Sequence, residues 1–293
     1  LANSTDGIGN YLFSGFQTRT PPFANTPGGV AYFGDDGQRL VQASASRQLS
    51  STNTGAELFM RIKDGNGTFT TGAAATNTGT GVISIGSLGN PPPTAAQAAS
   101  TYQVAFTVSP PATPGLPDVI TYVVTDTTLA TQVLPVPPLP AVPGVPYVSG
   151  QAISFNGIQF DIQGVPKTGD TFTVAPSANE SVFKTISDLV NLLNVEQAGG
   201  KLSNGIVRGL NNLDNALNNV LTTRASVGVR LNELDALQNE GDNLGLQFKQ
   251  SLSLLQDVDY NKAISDLTMQ NTALQAAQQT FSKVSGLSLF KYI

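Results

Sequence analysis

The 293-residue sequence carries 15 basic and 20 acidic side chains, a formal net charge of -5, and no His, Cys or Trp. Without histidine there is no imidazole base for a Ser-His-Asp triad and no imidazole zinc ligand. Without cysteine there is no thiolate nucleophile, no iron–sulfur ligation and no disulfide framework.

An acidic chain is also a poor nucleic-acid platform, which needs a clustered basic face. Charged residues make up 12%, against about 25% in ordinary soluble domains. Low charge and the lack of thiols suit a secreted or surface-assembled protein. The most apolar long stretch, Val133 to Val148, is broken by Pro135, Pro137, Pro138, Pro140, Pro143 and Pro146, so it does not read as a membrane-spanning helix. No basic-then-apolar signal peptide opens the chain. Because it starts at Leu1 rather than Met, a fragment or trimmed product is expected.

In chain order, Tyr11 to Gly15 and Ala31 to Phe33 read as short strands, with Gly34-Asp35-Asp36-Gly37 as a hairpin turn. The runs Asp35-Asp36-Gly37 and Asp64-Gly65-Asn66-Gly67 superficially resemble calcium loops. Neither has the further oxygen ligands and closing Glu that such a loop needs, so both read as tight turns.

Composition then shifts. Between Gly65 and Ala175 lie 14 of the 18 prolines, from Pro91 to Pro166, and that stretch has Lys167 as its lone basic residue and Asp118, Asp126, Asp161 and Asp170 as its acids. Gln103 to Val108, Ile120 to Val124 and Ile153 to Ile162 alternate polar and apolar, which predicts half-buried strands. Asn156-Gly157 interrupts the last as a bulge or hairpin turn, and Thr171 to Val174 closes the region. The middle of the chain therefore reads as a small all-β domain.

After Pro176 there is no proline. Val182, Ile186, Leu189, Leu192 and Leu193 predict a short amphipathic helix ending at Gly199-Gly200. The run Gly199-Gly200-Lys201-Leu202-Ser203 fails as a phosphate loop: Val195 stands at the leading glycine position, and Leu202 where Ser or Thr must hold magnesium. Ile206, Leu210, Leu213, Leu217, Val220, Val227, Leu231 and Leu234 follow coiled-coil spacing, interrupted at Arg224, over roughly 43 Å of rod helix. A second run, Leu244, Phe248, Leu252, Leu255 and Val258, continues after Gly241 and Gly245. Asp257, Asp259 and Asp266 read as a solvated face, with Lys262 pairing Asp259 across three residues.

The last segment places Tyr260, Ile264, Leu267, Leu274, Phe281 and Val284 at helical spacing among Gln and Asn. It then ends on Leu287, Leu289, Phe290, Tyr292 and Ile293. Chain ends are normally polar and loose, so this apolar end is expected to be buried between subunits. The rod stripe must likewise bury itself on another helix, and a long antiparallel partner is expected ahead of Leu1.

Several of these residues carry a resemblance. Ser253-Leu254-Leu255-Gln256-Asp257-Val258-Asp259-Tyr260, with Ala263-Ile264-Ser265, resembles the segment that opens the C-terminal terminal-domain helix of bacterial flagellins. Arg230-Leu231-Asn232-Glu233-Leu234 resembles a motif of their long C-terminal rod helix. The ending from Gln278 to Ile293, together with Asn10 to Gly15 and Val30 to Asp35, is similar to the hook-associated protein 3 family of the flagellin superfamily. Two departures stand out: Val258 replaces a small residue, and the family's N-terminal terminal-domain helix and first rod helix have no counterpart in this sequence.

The resemblance implies an α+β chain. Residues 1–64 would be the first part of a rod domain with short β segments. Residues 65–176 would be an inserted variable β domain, 177–264 the helical second part of the rod, and 265–293 a terminal-domain assembly helix. It implies a structural subunit of the extracellular flagellum that joins hook to filament, leaving the cell through the flagellar type III apparatus without a cleaved signal peptide. Hook-associated protein 1, flagellin, neighbouring copies of itself and an export chaperone are the implied partners. Nucleic acid, membrane insertion, cofactors, metals and catalytic residues are not. Two alternatives stay open: a flagellin or flagellin-like surface protein, and a glycan-binding surface protein, although Tyr102, Tyr122 and Tyr147 are scattered.

Overall fold

The structure is a computed structural model and describes residues 1–44, 46–111, 113, 115–135, 144–195, 199–257 and 259–286. It divides into two compact units, residues 1–231 and 232–293. The architecture is α+β.

The chain opens with two small hairpins. Strand β1 (Phe23–Thr26) pairs antiparallel with β2 (Gly29–Tyr32), and β3 (Leu40–Ser44) with β4 (Arg47–Ser50). A π-helical turn at Ala56–Met60 follows. Phe13, Phe23, Tyr32, Phe59 and Phe183 form an aromatic cluster here, with ring centroids 5.1 to 6.0 Å apart. The Tyr32 hydroxyl sits 2.9 Å from the carbonyl oxygens of both Phe13 and Asp35, and its pKa is raised, mainly by burial.

Two sequence expectations fail in this region. Tyr11 to Gly15 is not a strand but a series of turns with one isolated bridge, Thr5 to Tyr11. Gly15 has φ +72°, and a Cβ on it would lie 2.0 Å from Asp35 Oδ1, so the backbone folds tightly where the apolar pattern suggested extension. Gly34 to Gly37 is likewise no hairpin turn, because β2 pairs backwards and β3 pairs forwards. Asp35 Oδ1 instead accepts the Phe16 and Gly37 N–H groups, each at 2.8 Å, and ties two loops together.

The middle of the chain is a β sandwich entered and left through a narrow neck. Strands β5 (Ile62–Lys63) and, at the far end, β16 (Asn179–Glu180) pair antiparallel and form that neck. Between them run β6 (Phe69–Ala73), β7 (Val82–Ile83), β8 (Ser87–Leu88), helix α1 (Ala95–Ala99), β9 (Tyr102–Ser109), β10 (Val119–Asp126), β11 (Thr131–Leu134), β12 (Val145–Pro146), β13 (Ala152–Phe155), β14 (Ile158–Gln163) and β15 (Thr171–Pro176). One sheet has the order β11-β10-β9-β15-β6, with β12 also on β10. The other has the order β13-β14-β7, with β8 also on β14.

Alternation decides which side chains enter the core. Tyr102, Val104 and Phe106 on β9 meet Phe172 and Val174 on β15, and from the second sheet Ile153, Phe155, Ile158, Phe160 and Ile162; all are buried in one cluster. Asn156-Gly157 joins β13 to β14 as a two-residue turn, with φ of +47° and +73° and Phe155 opposite Ile158. That is the geometry a tight hairpin with right-handed twist requires.

The rest is helix: α2 (Val182–Asn194), α3 (Lys201–Gln256) and α4 (Tyr260–Gly286). Ser181 caps α2, its hydroxyl accepting the Lys184 N–H. The two apolar runs around Gly241 and Gly245 lie on the single helix α3 up to Leu255, since glycine costs an exposed helix only about 1 kcal/mol each; Val258 lies outside the described residues. Gly199 and Gly200 open α3 rather than closing α2. A Cβ at either would fall 2.6 or 2.5 Å from the carbonyl oxygen of Gly79 or Gly81, and Gly200 donates its N–H to Gly79 O.

Phe172 has no exposed surface and sits edge-on to Phe106, with ring centroids 5.7 Å apart, in the core cluster. Phe172→Ala is expected to cost about 3–5 kcal/mol, read as a lower urea midpoint for loss of β signal; a loss below about 0.5 kcal/mol would show that the sandwich core is not packed as described.

Candidate functional site

Helix α3 presents three different faces, and they begin with what the neck demands. Strands β5 and β16 are two residues each, so the neck's carbonyl groups outrun its own ladder, and buried carbonyls require donors. Asparagines on α3 supply them. Asn211 Nδ2 donates to Gly65 O at 2.6 Å, and Asn215 Nδ2 donates to Lys63 O at 2.9 Å and Gly65 O at 2.8 Å. Asn219 Nδ2 donates to Glu57 O and Leu58 O, at 2.9 and 3.0 Å. Buried Asn212 accepts the Gly65 N–H and donates to Glu180 Oε1, both at 3.3 Å. Higher up, Asn204 accepts the Ile83 N–H at 2.9 Å and donates to Gly81 O at 2.8 Å. Lower down, Arg230 reaches Ser50 O and Asn53 Oδ1.

The neck closes on itself through Asp64. Its carboxylate accepts the Ala178 N–H at 2.7 Å, while its carbonyl accepts the Ser177 hydroxyl at 2.7 Å. Asp64-Gly65-Asn66-Gly67 is built as a turn, with Asn66 Oδ1 accepting the Thr68 and Phe69 N–H groups at 3.0 Å. These oxygens are spent on backbone donors. Arg61 and Asp36 form an exposed ion pair at 2.6 Å, which raises the Arg61 pKa through the hydrogen bond to that carboxylate.

The second face of α3 is small. A Cβ at Gly205 would strike Leu192 at 2.4 Å, and one at Gly209 would press Leu189 at 3.0 Å. Helix α2 therefore lies close along this side.

The third face is the apolar stripe read from the sequence. Ile206 and Leu213 are half-buried, whereas Leu210, Leu217, Val220, Val227, Leu231 and Leu234 are exposed, Leu217 at 55%. Only Asn212 and Ala216 are buried among the described residues of α3. With 3.6 residues per turn the stripe lies opposite the asparagines, so the chain docks its helix by amides and leaves the leucines free.

Helix α4 is exposed throughout. Tyr260, Ile264, Leu267, Leu274, Phe281 and Val284 all face solvent, Phe281 at 74%. Leu287, Leu289, Phe290 and Ile293 lie outside the described residues. Asp259 caps α4 by accepting the Lys262 backbone N–H at 3.1 Å, so its relation to Lys262 is a cap rather than the side-chain pair expected. No group of three or more potential metal ligands occurs among the described residues, and no helix is long and apolar enough to cross a membrane.

Sequence reasoning missed the asparagine face. Its signal was present: Asn is unfavourable inside helices because it competes for backbone bonds. Asn204, Asn211, Asn212, Asn215 and Asn219 nevertheless recur within about four and a half turns, at spacings that stack them on one side.

The profile of the bacterial flagellin C-terminal helical region matches residues 210–293, which covers both exposed apolar faces. Over 291 residues the chain is 27% identical to flagellar hook-associated protein 3 of Salmonella typhimurium, covering 99% of this chain and 60% of the relative's length. The solved flagellar hook-associated protein 3 of Legionella pneumophila is 30% identical with a TM-score of 0.75, over 88% of this chain and 77% of that one. A crystal structure of the flagellar junction protein FlgL, also from Legionella pneumophila, is 31% identical with a TM-score of 0.69, over 80% and 74%. Residues 210–293 thus resemble the C-terminal helical region of bacterial flagellin. The chain as a whole belongs to the flagellar hook-associated protein 3 family, and it spans about 60% of the length of the Salmonella relative.

The two faces of α3 should respond differently to truncation. Asn212→Ala is expected to destabilise the isolated chain by about 1–3 kcal/mol, because it leaves the buried Gly65 N–H without its acceptor and removes one of the two donors to Glu180 Oε1. Leu217→Ala should cost no more than about 0.5 kcal/mol there. Thermal unfolding of both variants checks the contrast, and the reverse order would refute it.

Proposed function

We propose that this chain is the greater part of a subunit that joins the flagellar hook to the filament, acting by packing and without a catalytic step. The supporting observation is that the outward stripe of α3 from Leu210 and the apolar positions of α4 are exposed among the described residues. Contiguous apolar helix faces of this length are built to be covered. Solved relatives with this fold carry the names of hook-associated and junction proteins.

In this reading, residues 1–64 and 177–264 form the rod, 65–176 the inserted β domain, and 265–293 the terminal assembly helix. The closed register from Phe69 opposite Pro176 to Lys63 opposite Asn179 supports such a division. The rod stripe, Ile206 to Leu234, takes a helix against it. The terminal positions Tyr260 to Ile293 pack between subunits. The implied partners are hook-associated protein 1 on one side, flagellin on the other, neighbouring copies around the junction, and an export chaperone inside the cell. Export through the flagellar type III apparatus places the subunit outside.

None of the described residues of α4 is buried, and a helix of 27 residues without tertiary packing is only marginally stable in water. Amide exchange on the free chain is therefore expected to show weak protection across Leu267 to Phe281. Strong protection in the monomer would remove α4 from the assembly surface.

Deletion of 265–293 should leave the β signal and the unfolding midpoint of the sandwich unchanged while abolishing incorporation into flagella. A junction subunit, unlike flagellin, should also fail to form long filaments alone at high concentration. Self-polymerisation of the chain would instead favour a filament subunit.

A further inference from the structure

The ladder between β6 and β15 leaves the other edge of β6 without a strand partner among the described residues. Ala74 N–H donates to Thr171 O and Ser177 N–H donates to Thr68 O, both at 3.0 Å. Residue pairs in this ladder follow the register Phe172 opposite Ala73 to Pro176 opposite Phe69. Hydrogen-bonded and non-bonded pairs alternate in an antiparallel ladder, so Thr70 and Gly72 turn their backbone groups toward β15. Phe69, Thr71 and Ala73 turn theirs outward. Phe69 is satisfied: its N–H donates to Asn66 Oδ1 and its carbonyl accepts the Asn66 N–H, both at 3.0 Å. The N–H and C=O groups of Thr71 and Ala73 have no such turn to satisfy them.

That edge lines a groove of about 510 Å³ between β6 and the helices α2 and α3, within the 300–1,000 Å³ typical of ligand sites. Leu189 and Leu192 of α2 and Ile85 of the sandwich are half-buried along it. Four charged side chains other than these line it, and their states differ. Glu180 Oε1 accepts from Thr185 Oγ1 and Asn212 Nδ2, and Asp188 is paired with Lys184. Lys201 and Arg208 have no ion-pair partner among the described residues. The uncommitted charge is positive.

We propose that this groove binds an extended acidic segment of a partner polypeptide, added as a strand to the free edge of β6. Its backbone bonds the N–H and C=O groups of Thr71 and Ala73. Alternate side chains lie on Leu189 and Leu192, and a carboxylate meets Lys201 or Arg208. Strand addition draws affinity from main-chain hydrogen bonds and specificity from alternate side chains, and the groove offers both. This site is separate from the apolar helix faces and does not rest on the junction reading.

The test uses the full chain and a fluorescein-labelled synthetic peptide, Val-Asp-Val-Thr-Val-Asp, capped at its C-terminus. Saturable anisotropy is expected, with exchange at the Thr71 and Ala73 amides slowed at least tenfold. Lys201→Glu and Arg208→Glu, neither at a buried side chain, should each weaken binding at least tenfold at unchanged ellipticity. A peptide with Lys in place of Asp, or with alternate amides N-methylated, should not bind. Binding that ignores these charge changes, or that leaves the two amides unprotected, would overturn the proposal. So would concentration-dependent protection of both amides in the chain alone, which would make the occupant a second copy.

Discussion

The arrangement rests on amide side chains of one helix reaching backbone carbonyls of another part of the chain more than a hundred residues away. The sandwich hangs on a neck two strands wide, each two residues long. A ribbon so short cannot satisfy its own flanking carbonyls or fix its own direction. Asn211, Asn212 and Asn215 do both, because a bond to a particular carbonyl has a direction, whereas an apolar contact is satisfied by many placements. Gly199 and Gly200 add a second anchor through close approach to Gly79 and Gly81. Sandwich and upper α3 are thereby joined at two points along the same helix.

Once the amides take one side of α3, the remaining sides are assigned by geometry. Residues at 3 and 4 spacing share a face, so Gly205 and Gly209 fall beside the asparagines and receive α2, while Leu210, Leu213 and Leu217 fall opposite. A helix that docked on its own domain by leucines would have no apolar surface left for another molecule. Here the intramolecular contact is polar and the outward face is apolar. This inverts the usual amphipathic pattern, in which apolar residues face the protein's own core.

What was legible in the sequence follows from which residues obey a period. Tyr102 to Phe106 alternates cleanly, and the structure buries every second side chain. Asn156-Gly157 is a turn because few other residue pairs reach positive φ twice in succession. The long helices announce themselves through Leu and Val spacing. Tyr11 to Gly15 misled because an apolar run carries no period of its own, and the left-handed Gly15 was decided by contact with Asp35. Gly34 to Gly37 misled because turn chemistry names a turn without saying which strands it joins. The asparagine face was invisible to hydrophobic periodicity altogether. Its residues are polar, and what they satisfy is backbone, which has no sequence.

The same economy of charge runs into α4. Over 27 residues it holds only Lys262, Asp266 and Lys283 as charged groups, while Asn261, Gln270, Asn271, Gln275, Gln278 and Gln279 supply its polarity. Identical helices brought side by side in a ring bring identical charges together, and like charges repel most where water is excluded. Neutral amides avoid that cost. Each carries both donors and an acceptor, so an amide on one copy can bond the same amide on the next. Leucine and phenylalanine between them supply the apolar area. In the proposed packing between subunits, so sparse a charge leaves few like charges to be brought together where water is excluded.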